Sequence, residues 1–219
     1  MGNLLFYREF YRRNLPHYQP EKGIFFITTR LAFTLPEVIL NELKEKKEMF
    51  EKALKNVNKK DMKEFIREFH KSYFVKFDEF LDKYNKSPMW LCKLEVAKII
   101  EENLHHWNGK RYLLFAYCIM PNHVHIMLKP LKTGNNVYES LTKIMFGIKS
   151  YTANECNKVL RRSGQFWHHE SYDHFVRDAE ELGREIDYIA KNPVKAGLVS
   201  NWQDWRYSWI RKNWEDLEM

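Results

Sequence analysis

Apolar and polar positions along this chain fall into several distinct textures. From Gly23 to Arg30, the run Ile-Phe-Phe-Ile-Thr-Thr-Arg is dense in β-branched and aromatic residues and predicts a first strand. Residues 36–86 mix charges of both signs, while Leu40, Leu43, Phe50, Leu54, Phe65 and Phe69 recur at roughly helical spacing. That pattern predicts a helical insertion opened by Pro36 and broken into two helices between Asn56 and Asp61. Its charge runs read as solvated surface, and Tyr73, Phe74, Phe77, Phe80 and Leu81 as the residues that dock it. Leu94 to His106 reads as an amphipathic helix with Leu94, Ile99 (or Ala97) and Leu104 inward. Arg111 to Met120 is almost continuously apolar, as a strand buried on both faces is.

Pro121-Asn122 then turns the chain into a second strand, forming an antiparallel hairpin. Gly134-Asn135-Asn136 ends the hairpin and caps a long helix from about Val137 to Leu160, with Leu141, Ile144, Ile148 and Tyr151 on its buried face. Gln165 to Val176 reads as a loop around a short strand. Asp178-x-x-Glu181 resembles a capping box and opens a last helix whose inward stripe is Leu182, Ile186 and Ile189. Pro193 disfavours continuation, so this helix is expected to stop near Asn192. Trp202, Trp205, Trp209 and Trp214 form an aromatic tail expected to pack on the body. The resulting order predicts an α+β fold: a ferredoxin-like split βαβ with an antiparallel central sheet and an appended C-terminal helix. Residues 1–219 read as a single domain, with 36–86 inserted after the first strand and 198–219 as tail.

Composition narrows the classes. The chain has 219 residues, of which 44% are hydrophobic and 16% aromatic, ample for a packed core. Lys and Arg exceed Asp and Glu by 36 to 29, a net charge of +7 that suits a polyanionic partner without requiring one. Cys92, Cys118 and Cys156 are scattered and odd in number, with neither a disulfide framework nor a zinc-knuckle spacing. No apolar run approaches a membrane span and no signal-peptide profile is evident, so a cytoplasmic protein with no membrane partner is expected. The first twenty residues are rich in Tyr, Arg and Pro and read as an extended arm. It either packs over the first strand or, through its aromatics and Arg12 and Arg13, touches unpaired bases and phosphates.

The candidate chemistry sits in Pro121–Leu128, Pro-Asn-His-Val-His-Ile-Met-Leu. On a strand, His123 and His125 point the same way while Val124, Ile126 and Leu128 face a core, so the paired imidazoles form half of a metal site. On the last helix, Tyr188 and Asn192 lie one turn apart on a shared face. A phenol is a competent nucleophile at phosphorus once a cation withdraws charge, and the Asn192 amide oxygen can serve as a third, neutral ligand. Nitrogen and oxygen donors with open positions suit Mg²⁺ or Mn²⁺.

Three stretches together resemble a known family. Tyr-Cys-Ile-Met-Pro-Asn-His-Val-His-Ile-Met (117–127), Phe-Trp-His-His-Glu-Ser-Tyr-Asp-His-Phe-Val-Arg-Asp (166–178) and Asp-Tyr-Ile-Ala-Lys-Asn-Pro-Val-Lys-Ala-Gly-Leu-Val (187–199) are similar to the REP-associated tyrosine transposases of the His-hydrophobic-His superfamily. Residues 12–30 also look like that family's opening. The resemblance implies a divalent-metal-dependent single-strand DNA endonuclease and strand transferase acting on hairpin-forming DNA. It places His123 and His125 at the metal pair, Tyr188 at the nucleophile that forms a 5′-phosphotyrosine, and Asn192 at the ligand position one turn on. His174 falls in a family motif without an assigned role. The resemblance covers most of residues 12–210 and allows a monomer or a homodimer, and the role of the 36–86 insertion is left open by it.

Transesterification conserves the phosphodiester energy in the tyrosine link, so no ATP is needed, and no Gly-x-x-x-x-Gly-Lys occurs. Lys143, Lys149, Lys158, Arg161, Arg162, Arg177, Lys191 and Lys195 can neutralise a DNA backbone. Two competing readings stand beside this one. One is a hairpin DNA- or RNA-binding regulator that does not cut. The other is a hydrolytic metalloenzyme built on the histidine pair, with Asn192 or His174 as a further ligand.

Overall fold

The computed structural model describes residues 10–12, 16–58, 60–84, 86–134 and 136–217, with the backbone alone for 10–12, 16, 17, 63 and 70. Arg13 therefore lies outside the described residues, and Arg12 is described only as backbone. The described chain opens with a two-stranded antiparallel ribbon, β1 (Phe10–Arg12) and β2 (Pro16–Tyr18).

Two compact units follow from the contacts, residues 33–87 and the remainder. The smaller holds α1 (Glu37–Leu54) and α2 (Met62–Lys83). Pro36 precedes α1, where its missing N–H is harmless. Within this unit Phe65 and Phe69 stack on Phe50, with ring centroids 5.4 and 3.9 Å apart, so the helical spacing of the aromatics makes the α1–α2 contact.

The larger unit contains β3 (Ile24–Arg30), α3 (Leu94–Trp107), β4 (Tyr112–Ile119), β5 (His123–Pro130), α4 (Leu141–Val159), β6 (Tyr172–Val176), α5 (Ala179–Lys195) and β7 (Ser208–Ile210). Its sheet runs β6-β3-β5-β4-β7, antiparallel throughout. Without β7, this is the βαββαβ order of a ferredoxin-like fold, with the first and third of its strands paired at the centre. Strand β7 was not expected. Three residues are too few to show alternation, and only pairing with β4 makes Ser208–Ile210 a strand.

The two sheet faces serve different purposes. Tyr112 and Tyr117 donate from β4 to Leu104 O and Glu101 Oε1 of α3, at 2.9 and 2.6 Å, so α3 covers the face shared with Ile126 and Leu128. Helix α4 packs beside α3. The opposite face carries His123 and His125 and is covered by α5. Both tyrosines reach the α3 face because β4 bulges between Leu114 and Ala116. One extra residue flips every later side chain, and it sets Cys118 opposite His125.

Several expected details differ. In α3 the buried stripe is Val96, Ala97, Ile100 and Leu104, while Leu94 is exposed. In α4 it is Leu141, Ile144, Met145, Ile148, Thr152 and Cys156, and Tyr151 is exposed. Both helices offer two adjacent apolar stripes, and packing selects the phase. Helix α4 starts later than expected because Ser140, not the Gly-Asn-Asn run, caps it by accepting from Lys143 N.

Helix α5 does not stop at Asn192 but passes through Pro193 to Lys195. Without an N–H, Pro193 makes no bond to Ile189 O. The last turn is then closed by Ala196 N to Asn192 O (2.9 Å), Gly197 N to Val194 O (2.9 Å) and Leu198 N to Pro193 O (2.9 Å). Gly197 takes φ +71°, the left-handed residue that this termination requires.

The tryptophans of the tail are half-buried. Trp205 donates to Ile119 O at 3.1 Å, Trp209 stacks on Tyr117, and Trp214 lies over Gly183 of α5. All three cysteines are free thiols. Among the described residues, no helix is long and apolar enough to cross a membrane.

Candidate nuclease site

The site begins with the two histidines of β5, both fully buried. Their Nε2 atoms face each other 3.0 Å apart, with the rings nearly perpendicular. His123 Nδ1 lies 2.6 Å from Asn122 Oδ1. An amide oxygen only accepts, so Nδ1 carries the proton and Nε2 presents a lone pair. His125 Nδ1 lies 2.8 Å from Thr28 Oγ1, its cross-strand neighbour on β3, and the same tautomer follows when that hydroxyl accepts. Burial above all, and then the charge of Lys195, lowers His125 to about 3, so it is neutral as a ligand must be.

Two lone pairs aimed at each other in a dry interior repel unless something positive lies between them. A separation of 3.0 Å matches two adjacent donors on an octahedral ion at about 2.1 Å, whose chord is about 3 Å. The donor set therefore fits a divalent cation, with Asn122 and Thr28 as the outer partners that fix ring orientation. Neither outer partner figured in the sequence reading. Asn122, next to the first histidine, was the one with a local signal, whereas Thr28 is 97 residues from His125 and only strand register joins them.

The tyrosine helix delivers its phenol to this pair within the same chain. The Tyr188 ring lies 5.9 Å from His125 and 6.0 Å from Phe26, edge-on to both, and Phe26 in turn stacks on His125 at 5.5 Å. Buried Leu182, Ile186 and Ile189 seat α5, and this leaves Tyr188 half-buried over the imidazoles. Asn192 follows one turn later and is buried. Lys195, another turn minus one residue on, places its ammonium 5.3 Å from the centre of the Tyr188 ring. Of the other tyrosines considered, Tyr172 sits on β6 against Phe26, and Tyr151 stands exposed on α4.

His174 is on β6 and donates to Glu181 Oε1 at 3.1 Å, while Glu181 Oε2 accepts from Arg177 N and Nε at 3.0 and 3.2 Å. Burial alone would raise Glu181, but these hydrogen bonds and charges outweigh it and hold the carboxyl at about 2. His174 and Arg177 thus fix the start of α5, where Asp178 also caps Glu181 N at 2.8 Å.

The remaining basic residues are distributed differently. Lys149 donates to His168 O, His169 O and Ser171 Oγ, at 2.6, 3.1 and 3.2 Å, and so anchors the loop before β6. Arg162 stacks on Trp90 at 4.1 Å and bonds Asn157 and Gln165 O. Lys143, Lys158 and Lys191 pair with Glu139, Glu155 and Asp187 at 3.2, 2.7 and 2.7 Å. Arg161 is exposed just past α4 with φ +50°. Lys195 of this set lies over the Tyr188 ring.

No model of a known protein family matches the chain. A Haemophilus influenzae protein named as a REP-associated tyrosine transposase is 26% identical over 152 residues, covering 67% of this chain and 85% of its own. This chain is similar to the REP-associated tyrosine transposases. A second transposase of that name, from Escherichia coli, is 26% identical over 98 residues, covering 45% of this chain and 54% of its own, so the chain spans about half of it. A solved REP-associated tyrosine transposase bound to a REP hairpin aligns with 90% of this chain and 80% of its own, at 15% identity and a TM-score of 0.49.

Proposed function

We propose that this chain is a divalent-cation-dependent single-strand DNA endonuclease and strand transferase that cuts hairpin-forming DNA through a covalent link to Tyr188. The observation that carries the reading is the Tyr188 ring lying 5.9 Å from His125 in the same chain. The names of the transposase relatives agree with it. His123, His125 and, one turn beyond the tyrosine, Asn192 would hold the ion, Mg²⁺ or Mn²⁺. When bound, it would withdraw electron density from the phosphate and offset the negative charge that builds there.

The chain's own residues do the rest. Asn122 and Thr28 hold the imidazoles in one tautomer, and Phe26 wedges the phenol ring against His125. The Tyr188 oxygen attacks phosphorus and an O–P bond forms as the P–O3′ bond breaks. The phenolic proton passes to solvent, and the departing 3′-oxygen takes one up. The products are a 5′-phosphotyrosine and a free 3′-hydroxyl, and attack by a 3′-hydroxyl on that link reverses the sequence. His174 and Glu181 orient the helix without touching DNA.

The test is a denaturing gel of the protein with end-labelled hairpin DNA and Mg²⁺ or Mn²⁺. Label should migrate with the protein, and Tyr188→Phe should abolish the adduct. A free 5′-phosphate end with no protein-linked species would overturn the reading in favour of hydrolysis. An adduct that survives Tyr188→Phe would move the nucleophile to Tyr172.

A further inference from the structure

Lys195 brings its charge to the face of the tyrosine ring. It is seven residues after Tyr188, so two helical turns return it to the same face of α5. Its ammonium lies 5.3 Å from the centre of the phenol ring, and its charge is felt at His125. Lys191, one turn earlier, points elsewhere and pairs with Asp187 at 2.7 Å. That placement exists only because α5 continues through Pro193 and closes at Gly197. Were the helix to end at Asn192, Lys195 would have no fixed phase relative to the tyrosine.

A phosphate that the Tyr188 oxygen can attack must lie beside the phenol and near the imidazoles. A flexible lysine stem rooted on the same face brings a compact point charge with three donors to that spot. Its position in the last turn, where the helix's partial negative charge favours a cation, holds it there. We infer that Lys195 binds the scissile phosphate itself, its ammonium on a non-bridging oxygen, and thereby positions that phosphorus for Tyr188 and stays on the phosphotyrosine that results. This assignment rests on the tyrosine-nuclease reading above and gives Lys195 a role at one phosphate rather than along the DNA backbone. The covalent step is the one already written, and Lys195 neither gives nor takes a proton in it. The ammonium offsets the charge that builds on the non-bridging oxygens as the O–P bond forms.

The experiment compares single-turnover adduct formation by wild type, Lys195→Met and Lys195→Arg on two hairpin substrates. One carries an ordinary scissile phosphate and the other an uncharged methylphosphonate at that position alone. Lys195→Met keeps the stem and removes the charge. It should slow the ordinary substrate about 10²- to 10³-fold, with Lys195→Arg recovering most of that loss and circular dichroism unchanged. On the methylphosphonate, wild type and Lys195→Met should react within a few-fold of each other. An unchanged rate for Lys195→Met on the ordinary substrate overturns the assignment while leaving the Tyr188 reading intact. An equal loss on both substrates also overturns it and makes Lys195 a general DNA contact. Absence of any adduct with wild type removes both readings.

Discussion

Asn122 is the residue whose change separates metal holding from everything else at the site. It touches neither phenol nor phosphate in the reading above, and its oxygen fixes the His123 tautomer at 2.6 Å. Asn122→Ala is expected to weaken Mn²⁺ binding about 10- to 100-fold, measured by titration calorimetry, with cleavage largely restored at saturating metal. Thr28→Val should act in the same direction through His125. His123→Ala should remove binding outright, and a Mn²⁺ affinity unchanged by that substitution would refute the site. At this scale the sequence supplied the imidazoles and the phenol, because His-x-His on a strand and Tyr-x-x-x-Asn on a helix are local patterns. Thr28 and Phe26 were not legible as site residues, since β3–β5 pairing alone brings them to His125.

At the scale of the element, α5 depends on both of its ends. Asp178→Ala removes the cap on Glu181 N and should cost about 0.5–2 kcal/mol, read as a shift of the denaturant midpoint. Glu181 gives a pH signature. Its carboxyl is held at about 2 against an ordinary 4.5, so the stability it contributes is complete above pH 4.5. That contribution is lost as pH falls from 4.5 towards 2, because the unfolded chain takes up the proton first. Glu181→Gln should flatten that part of the stability–pH profile. A profile with the same slope in the variant would show that the network with His174 and Arg177 contributes nothing. The sequence foresaw the start of this helix from Asp178-x-x-Glu181. It misplaced the end because the proline rule concerns one lost bond, whereas three closing bonds and a left-handed Gly197 decide where the turn finishes.

For the whole molecule, the arrangement makes a statement about which chain serves which site. Tyr188 and both histidines meet within one polypeptide, with α5 seated on the sheet and Trp214 over Gly183 on its outer side. A mixture of Tyr188→Phe and His123→Ala proteins should therefore form no adduct, since neither chain holds a complete set. Adduct formed by that mixture would show that the tyrosine acts on another copy. The C-terminal segment also guards the phase of the sheet. Arg211 donates to Leu114 O at 2.7 Å and its N–H to Phe115 O at 2.8 Å, so the bulge in β4 is closed by residues almost a hundred positions away.

By itself the sequence determined the strand and helix order, the ferredoxin-like arrangement and the three side chains of the proposed chemistry. The order and the arrangement follow from short-range periodicity, capping and spacing, and the roles of the three side chains from the resemblance of residues 117–127, 166–178 and 187–199 to a known family. Only the tertiary structure decided the phase of α3 and α4, the bulge that re-phases β4, the added strand β7, and the reach of α5 past Pro193 to Lys195. Each of these is a choice between local alternatives of similar energy, and contacts between distant segments make the choice.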